Sequence, residues 1–421
     1  MSQIATLIMQ IGTILLVSGG LGRLFKRFHQ PQVIGEMLAG ILLGPSLLGW
    51  VAPDVAAALF PPGGMAALNA LSQVGLLVFM FLVGLELNPN LLRGRSRTAL
   101  LISHVSIVAP AVLGMLLAFY LYPRLSNGQV RFIHFALFLA VSMSITAFPV
   151  LARILTERGL IRTEVGSIAI ACAAFGDVTA WLLLAIVVAL VRAGQLSGVS
   201  FWTPILGSIA YAGVAIFLLK PALAWLLRWR QRQGASAKEI LLFCLLAAFG
   251  SALVTEGLGI HAVFGAFLIG ALAPKEREFT QALTERLEGV TLLLLPLFFA
   301  ATGLRTSIAL VSGAEMWLYF LLVVVVAILG KVGGATIAAR TSGMGWRESG
   351  AIGVLMNTRG LMELIVLSIG LEIGVISPAL FTIMVLMALV TTFMAGPLIE
   401  LIYPKRISDQ EPAAAAAEIA A

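Results

Sequence analysis

The sequence predicts an all-α polytopic membrane protein with about 13 transmembrane helices, inverted repeats and two broken helices. Three observations predict it: the composition, the spacing of the apolar runs, and polar interruptions inside two of those runs. Of the 421 residues 60% are hydrophobic and 11% charged, and the mean hydropathy is +1.03. Soluble domains carry roughly 25% charged residues, so a water-soluble fold is excluded. The net charge of +7 would suggest nucleic acid in a soluble protein. In a chain this apolar the placement of the cations carries the meaning instead, and no nucleic-acid partner is expected.

Apolar runs of roughly 20 residues, the length that spans a bilayer, lie near 4–22, 33–50, 66–87, 98–121, 130–155, 163–191, 199–227, 237–256, 260–273, 288–304, 312–339, 346–370 and 376–402. The first has no basic stretch before it and no small-x-small cleavage site, so it is expected to be a retained helix. The ninth is short enough to be partly re-entrant. Assigning the connecting loops alternately to two sides puts twenty Lys and Arg on one side, while the other side has only Arg124, Arg131, Arg192 and Arg305. Lys220, Lys331 and Arg359 remain inside the runs. The positive-inside rule then places the C-terminus in the cytoplasm and the N-terminus outside, across a cell membrane. An even helix count would destroy this asymmetry. Residues 405–421, ending in EPAAAAAEIAA, are low-complexity and are expected to form a short disordered cytoplasmic tail after a transmembrane domain of 1–404.

The second and third runs are echoed by the ninth and tenth. IGEMLAGILLG (34–44) aligns with IHAVFGAFLIG (260–270), and LLVFMFLVGLEL (76–87) with LPLFFAATGLRT (295–306). Both pairs are displaced by seven spans, and an odd displacement reverses orientation. Inverted repeats of this kind put their binding site near the midplane.

The fifth and twelfth runs are interrupted. In SMSITAFPVLARIL (142–155), Pro149 lacks an N–H and disfavours helix just before it, which frees carbonyls near Met143 to Thr146. In LMNTRGLMELIVL (355–367) the interruption is Asn357, Thr358, Arg359 and Gly360, where the glycine permits unusual backbone angles. Freed backbone at membrane depth is tolerated where it lines a cavity or is satisfied by neighbours. The sixth run, GSIAIACAAFGDVTAWLLLAIVVALV (166–191), carries one charge, Asp177. A carboxylate in mid-bilayer costs several kcal/mol and marks an ion or proton pathway.

Of the other deep charges, Lys331 in the eleventh run has snorkelling as its plain alternative. Arg359 cannot release its proton and suits holding helix ends together. Glu363 lies one turn on, where an i, i+4 ion pair and a transport role are both open. Glu36, Glu86 and Glu256 fall near run ends, where solvation or capping is the default. His29 in a loop is a candidate pH sensor, while His104, His134 and His261 read as helix-end or packed imidazoles. Cys172 and Cys244 sit inside apolar runs and read as small buried side chains with no disulfide framework. The sequence shows no Walker loop, GxSxG elbow, HExxH or Cys/His metal spacing in a suitable context, so neither an enzyme nor a cofactor is expected. An ion gradient must then supply the energy.

SITAFPVLARIL (144–155), GDVTAW (176–181), LPLFFAATGLRT, LMNTRGLMELIVL and FTIMVLMALVTTF (381–393) together resemble the monovalent cation:proton antiporters, in the branch of the plant and fungal cation/H⁺ exchangers and their bacterial relatives. QPQVIGEMLAGILLGPSLLG (30–49) and GIHAVFGAFLIGALAPKE (259–276) fit the same pattern, and the resemblance runs in consistent order over roughly 5–402. It implies a thirteen-helix fold, a homodimer with a dimerisation domain, and a mobile core domain in which the two broken helices cross beside the aspartate. It further implies exchange of Na⁺ or K⁺ for protons, with Asp177 as carrier, Thr146 and Ser144 completing an oxygen shell with broken-helix carbonyls, and Lys331 neutralising carbonyl ends. The family usually has Asn, Gln or a second Asp before the aspartate, whereas this chain has Gly176. An ion-coupled organic-anion symporter and a channel or sensor of the same fold are the alternatives. Whether proton flux is coupled to cation flux separates them.

Overall fold

The computed structural model describes residues 2–28, 30, 32–86, 97–128, 130–160, 163–195, 206–207, 210–211, 213–232, 236–258 and 261–404. Regular structure among them is helical throughout: α1 (Gln3–Arg27), α2 (Gln32–Leu43), α3 (Leu48–Val51), α4 (Pro53–Leu59), α5 (Met65–Glu86), α6 (Arg97–Leu125), α7 (Phe132–Ser144), α8 (Phe148–Glu157), α9 (Glu164–Gln195), α10 (Lys220–Arg232), α11 (Ala237–Gly257), α12 (Ala262–Leu272), α13 (Arg277–Leu304), α14 (Gly313–Ile328), α15 (Gly334–Thr341), α16 (Trp346–Met356), α17 (Leu361–Glu372) and α18 (Pro378–Ile402). Among the described residues nine stretches are long and apolar enough to cross a bilayer alone. The segments α7–α8, 213–232, α12 and α16–α17 are shorter or interrupted, and with them the chain is a polytopic membrane protein whose segments follow the expected order.

Two boundaries differ from the sequence reading for local reasons. The second run is not one helix, because Pro45 cannot donate a helical hydrogen bond; α2 stops at Leu43 and a turn leads to α3. The tenth helix starts at Arg277 rather than near 288. The stretch REFTQALTERLEG is polar but made of good helix formers, so hydropathy alone could not see it.

The chain divides into two compact units: Met1–Leu15, Asp54–Asn90 and Ala185–Ala301 form one, and Leu16–Pro53, Leu91–Leu184 and Thr302–Ala421 the other. In the first, α5 crosses α12 so closely that only glycine fits at the contact. A Cβ on Gly84 would meet the Phe267 carbonyl oxygen at 2.2 Å, and one on Gly270 the Phe81 oxygen at 2.0 Å. α12 also lies against α11, where Ser251 Oγ donates to the Gly265 carbonyl at 2.8 Å.

In the second unit, α2 meets the end of α13 in the same manner. A Cβ on Gly303 would meet the Ile41 nitrogen at 2.6 Å, and one on Gly44 the Leu304 Cα at 3.1 Å. The repeat aligns Gly44 with Gly270 and Gly84 with Gly303. One glycine contact is therefore the image of the other, which is what an internal repeat requires. The rest of this unit packs α6 on α7 and α15 on α16, around a core that includes Ile102, Leu151, Leu155, Cys172, Ala338 and Leu355. Both cysteines are free and buried.

Candidate ion-binding site

Every side chain of the site lies in the second unit, and its frame is the pair of broken helices. α7 ends at Ser144 and α8 begins at Phe148, with Pro149 in the first turn of α8, where a missing N–H costs nothing. α16 ends at Met356 and α17 begins at Leu361. The two interruptions are joined: the Ala147 N–H donates to the Thr358 carbonyl at 2.9 Å, and Thr146 Oγ1 to the Met356 carbonyl at 2.9 Å. Gly360 is extended (φ 163°), so its role is space rather than unusual backbone angles. A Cβ there would meet Val150 Cγ2 at 2.9 Å.

A helix that stops inside a membrane leaves its last carbonyls without partners, and here two cations take them. The guanidinium of Arg359 donates to the carbonyls of Ser142 at 3.1 Å and Met143 at 2.8 Å. The Lys331 ammonium donates to the Ser144 carbonyl at 2.5 Å and to Thr146 Oγ1 at 2.7 Å. Positive charge at a helix C-terminus also meets the negative end of its dipole. Lys331 stands on a wide π-helical turn (Leu329–Gly333) between α14 and α15, and it is 1% exposed. Its ammonium does not snorkel.

Arg359 pairs with Glu363 at 2.8 Å, with both side chains fully buried. The other Glu363 oxygen accepts from Ser142 Oγ at 2.6 Å. Thr392 on α18 anchors the broken residue itself, accepting from the Arg359 N–H at 3.0 Å and donating to its carbonyl at 2.5 Å. One hydroxyl thus satisfies both backbone groups of a residue outside any helix.

Asp177 projects from α9 and is 2% exposed. The Phe148 backbone N–H, at the start of α8, donates to its carboxylate, and the Lys331 charge acts on it. A helix N-terminus is a natural seat for an anion. Among the described residues Asp177 Oδ1 has no hydrogen-bond partner, and neither has Asn357 Oδ1, which is also buried. Asp177 and Glu363 are matched in number by Lys331 and Arg359, so the site is neutral when all four are ionised. No group of three or more His, Cys, Asp or Glu positioned for a metal occurs among the described residues.

Asp177, Thr146, Lys331, Arg359, Asn357 and Glu363 thus belong to one junction. Ser144 contributes its carbonyl, while its hydroxyl turns to the carbonyls of Ala140 at 2.7 Å and Ile107 at 2.9 Å. Thr146 holds Lys331 and Met356 together. Sequence reading missed Ser142, Thr392 and the Phe148 N–H. A hydroxyl in an apolar helix carries no distinctive signal, and a backbone donor carries none at all. Glu36, expected near solvent, is buried on α2 and accepts from Gln32 at 2.9 Å. Glu256 caps α12 by accepting from the Ala262 N–H at 2.8 Å and pairs with Arg192 at 3.1 Å. His261 caps the same helix through Val263, at 3.4 Å, and His104 faces the Leu100 carbonyl at 2.7 Å. His29, the Glu86 side chain and residues 405–421 lie outside the described residues.

Comparison with known proteins gives the family of the chain. The chain is 43% identical over 404 residues to the Na(+)/H(+) antiporter NhaS4 of Synechocystis, covering 95% of this chain and 98% of that one. It is 42% identical to cation/H(+) antiporter 17 of Arabidopsis thaliana over 94% of its own length, and spans 48% of that longer protein. In fold it is similar to the sodium proton antiporter MjNhaP1 of Methanocaldococcus jannaschii, with a TM-score of 0.69, 15% identity, and coverage of 97% of this chain and 99% of that one. The family model for the sodium/hydrogen exchanger transmembrane region matches residues 12–403, and the chain belongs to that family.

Proposed function

We propose that this protein is a secondary antiporter, not an enzyme, which exchanges a monovalent cation, Na⁺ or K⁺, for protons. The observation that carries the proposal is Asp177: a buried carboxylate seated on the N-terminus of α8, with one oxygen lacking a partner among the described residues. Protonated, that carboxyl is neutral and suits its apolar surroundings. Ionised, it makes the negative site a cation needs, and exposure to the two sides in turn completes the cycle.

The neighbouring charges do not compete for this role. Arg359 and Glu363 pair with each other, and Arg359 also holds the end of α7. Lys331 is held on Ser144 and Thr146. Asp177 Oδ1 and the Asn357 amide oxygen are then the oxygens best placed to take a cation, and the Thr146 hydroxyl joins the shell when Lys331 releases it. Ser144 joins through its carbonyl on the same condition. The antiport named for the Synechocystis and Arabidopsis relatives agrees with this chemistry. The protein works in the cell membrane as a homodimer, with its C-terminus in the cytoplasm.

Dequenching of a pH-sensitive dye in everted vesicles, with Na⁺ and K⁺ titrated separately, tests the proposal. Addition of one or both cations should dissipate the proton gradient in a saturable manner. Proton flux independent of any monovalent cation would overturn it.

A further inference from the structure

Lys275 lies in the link between α12 and α13 in the first unit, and its ammonium donates to the carbonyls of Gly84 at 2.8 Å and of Leu85 and Gly270 at 2.9 Å. One side chain so caps the C-terminal ends of both α5 and α12, where the dipoles are negative. The same residue lines a pocket of about 350 Å³ together with Lys220, Arg228, Glu276, Leu272 and Phe279. Among the described residues that line it, three cations face a single carboxylate. Arg228 spends Nε on the Ala224 carbonyl at 3.0 Å, and among the described residues its terminal amino groups and the Lys220 ammonium have no protein partner.

Burial, and then the nearby Lys220 charge, push Lys275 down to about 8. Burial is the larger cause, and a further anion among these cations would relieve the part that Lys220 contributes. The first turn of α13, whose N–H groups add partial positive charge, borders the same space. Trp225 and Trp229 on α10 stack with ring centroids 6.3 Å apart, and both are exposed. Paired exposed tryptophans on a membrane helix mark the headgroup level. The charge distribution puts this end on the cytoplasmic side, where the leaflet is anionic and basic pockets between helices take lipid headgroups.

We infer that this pocket is a headgroup site for an anionic phospholipid, whose phosphate sits between Lys220 and Arg228 and whose glycerol end lies against Leu272 and Phe279. Lys275 stays on its three carbonyls and contributes charge alone. Inorganic phosphate would satisfy the same cations, but the apolar wall and the tryptophans match a lipid rather than a dissolved ion.

Native mass spectrometry and thermal melting of the full chain in detergent, with phosphatidylglycerol, phosphatidylcholine or inorganic phosphate added, test this. Phosphatidylglycerol alone should be retained and should raise the melting temperature. Lys220→Gln with Arg228→Gln should weaken that binding by about tenfold, while Lys26→Gln with Arg27→Gln, exposed cations on α1, should leave it unchanged. Arg228→Gln alone serves if the double variant does not fold. Equal retention of phosphatidylcholine, equal stabilisation by phosphate, or equal loss in the two double variants would overturn the proposal.

Discussion

Lys331 reaches Thr146 across 2.7 Å and, with the same ammonium, holds the carbonyl that closes α7. Because Thr146 in turn donates to Met356 at the end of α16, one cation ties both interruptions together. Lys331→Ala would strand the Ser144 carbonyl and leave two buried carboxylates against one guanidinium. Removing one partner from a buried charge arrangement costs about 3–5 kcal/mol, so the melting temperature in detergent should fall well below that of the parent. Lys331→Gln, which keeps a donor but no charge, should recover only part of the loss. Parental melting in the alanine variant would show that the ammonium does not hold the junction.

Asp177→Asn removes the titratable charge while nearly preserving shape. Cation-dependent proton flux should be abolished, although the protein should still insert and fold. Glu36→Gln should have the smaller effect, because that carboxylate lies outside the junction. Exchange at parental rates in the asparagine variant would refute the carrier assignment.

The junction was legible in the sequence where charge or proline broke an apolar run. Asp177, Lys331, Arg359 and Pro149 each violate the local composition, and violations of that kind in a membrane are costly enough to stand out. Thr392, Ser142 and the Phe148 N–H were not legible, since hydroxyls and backbone donors cost a membrane helix little and leave no pattern. The start of α13 was hidden for the opposite reason, as hydropathy sees apolar runs and not helices that continue into water. Ser144 shows a further limit: spacing put it at the break, but the folded packing decides that its carbonyl faces Lys331 while its hydroxyl turns to Ala140 and Ile107.

The matched glycines give a prediction about the repeat. Gly270→Ala would drive a methyl into the Phe81 carbonyl, and Gly303→Ala one into the backbone of Ile41. Backbone cannot rotate away as a side chain can, so the helices must separate, at about 1–3 kcal/mol. Both variants should melt lower than the parent, while Gly176→Ala, whose added Cβ meets nothing within 4 Å, should not. Equal melting of all three would mean that the two crossings do not depend on the glycines.

Lys275 predicts a pH dependence of stability. Its ordinary value of 10.5 falls to about 8 in the fold, so between these values the unfolded chain binds more protons than the folded one. Stability from this group therefore rises as pH increases through that window, and the full penalty is present below it. The parent's melting temperature should climb relative to that of Lys275→Met between about pH 8 and pH 10. Bound phosphatidylglycerol, by supplying an anion, should flatten the climb. A difference between parent and variant that does not change with pH would remove Lys275 from the pH response.

Stoichiometry follows from the pairing of Glu363. With that carboxylate committed to Arg359 and Ser142, Asp177 is the single acid left to exchange one proton for one monovalent cation. No net charge then crosses per cycle. Each unbalanced charge would couple to the membrane potential by about 2.3 kcal/mol per 100 mV, so exchange in proteoliposomes should ignore a valinomycin-clamped voltage. Release of a second proton from Lys331 in each cycle would instead make transport carry current, and a rate or end-point that tracks the imposed voltage would refute the one-for-one scheme. Gly176 supplies the complementary test, because a Cβ added there meets nothing within 4 Å. Gly176→Asp places a second carboxylate next to the carrier and should turn voltage-independent exchange into voltage-dependent exchange. A variant that stays active and indifferent to voltage would mean that the number of acids beside Asp177 does not set the stoichiometry.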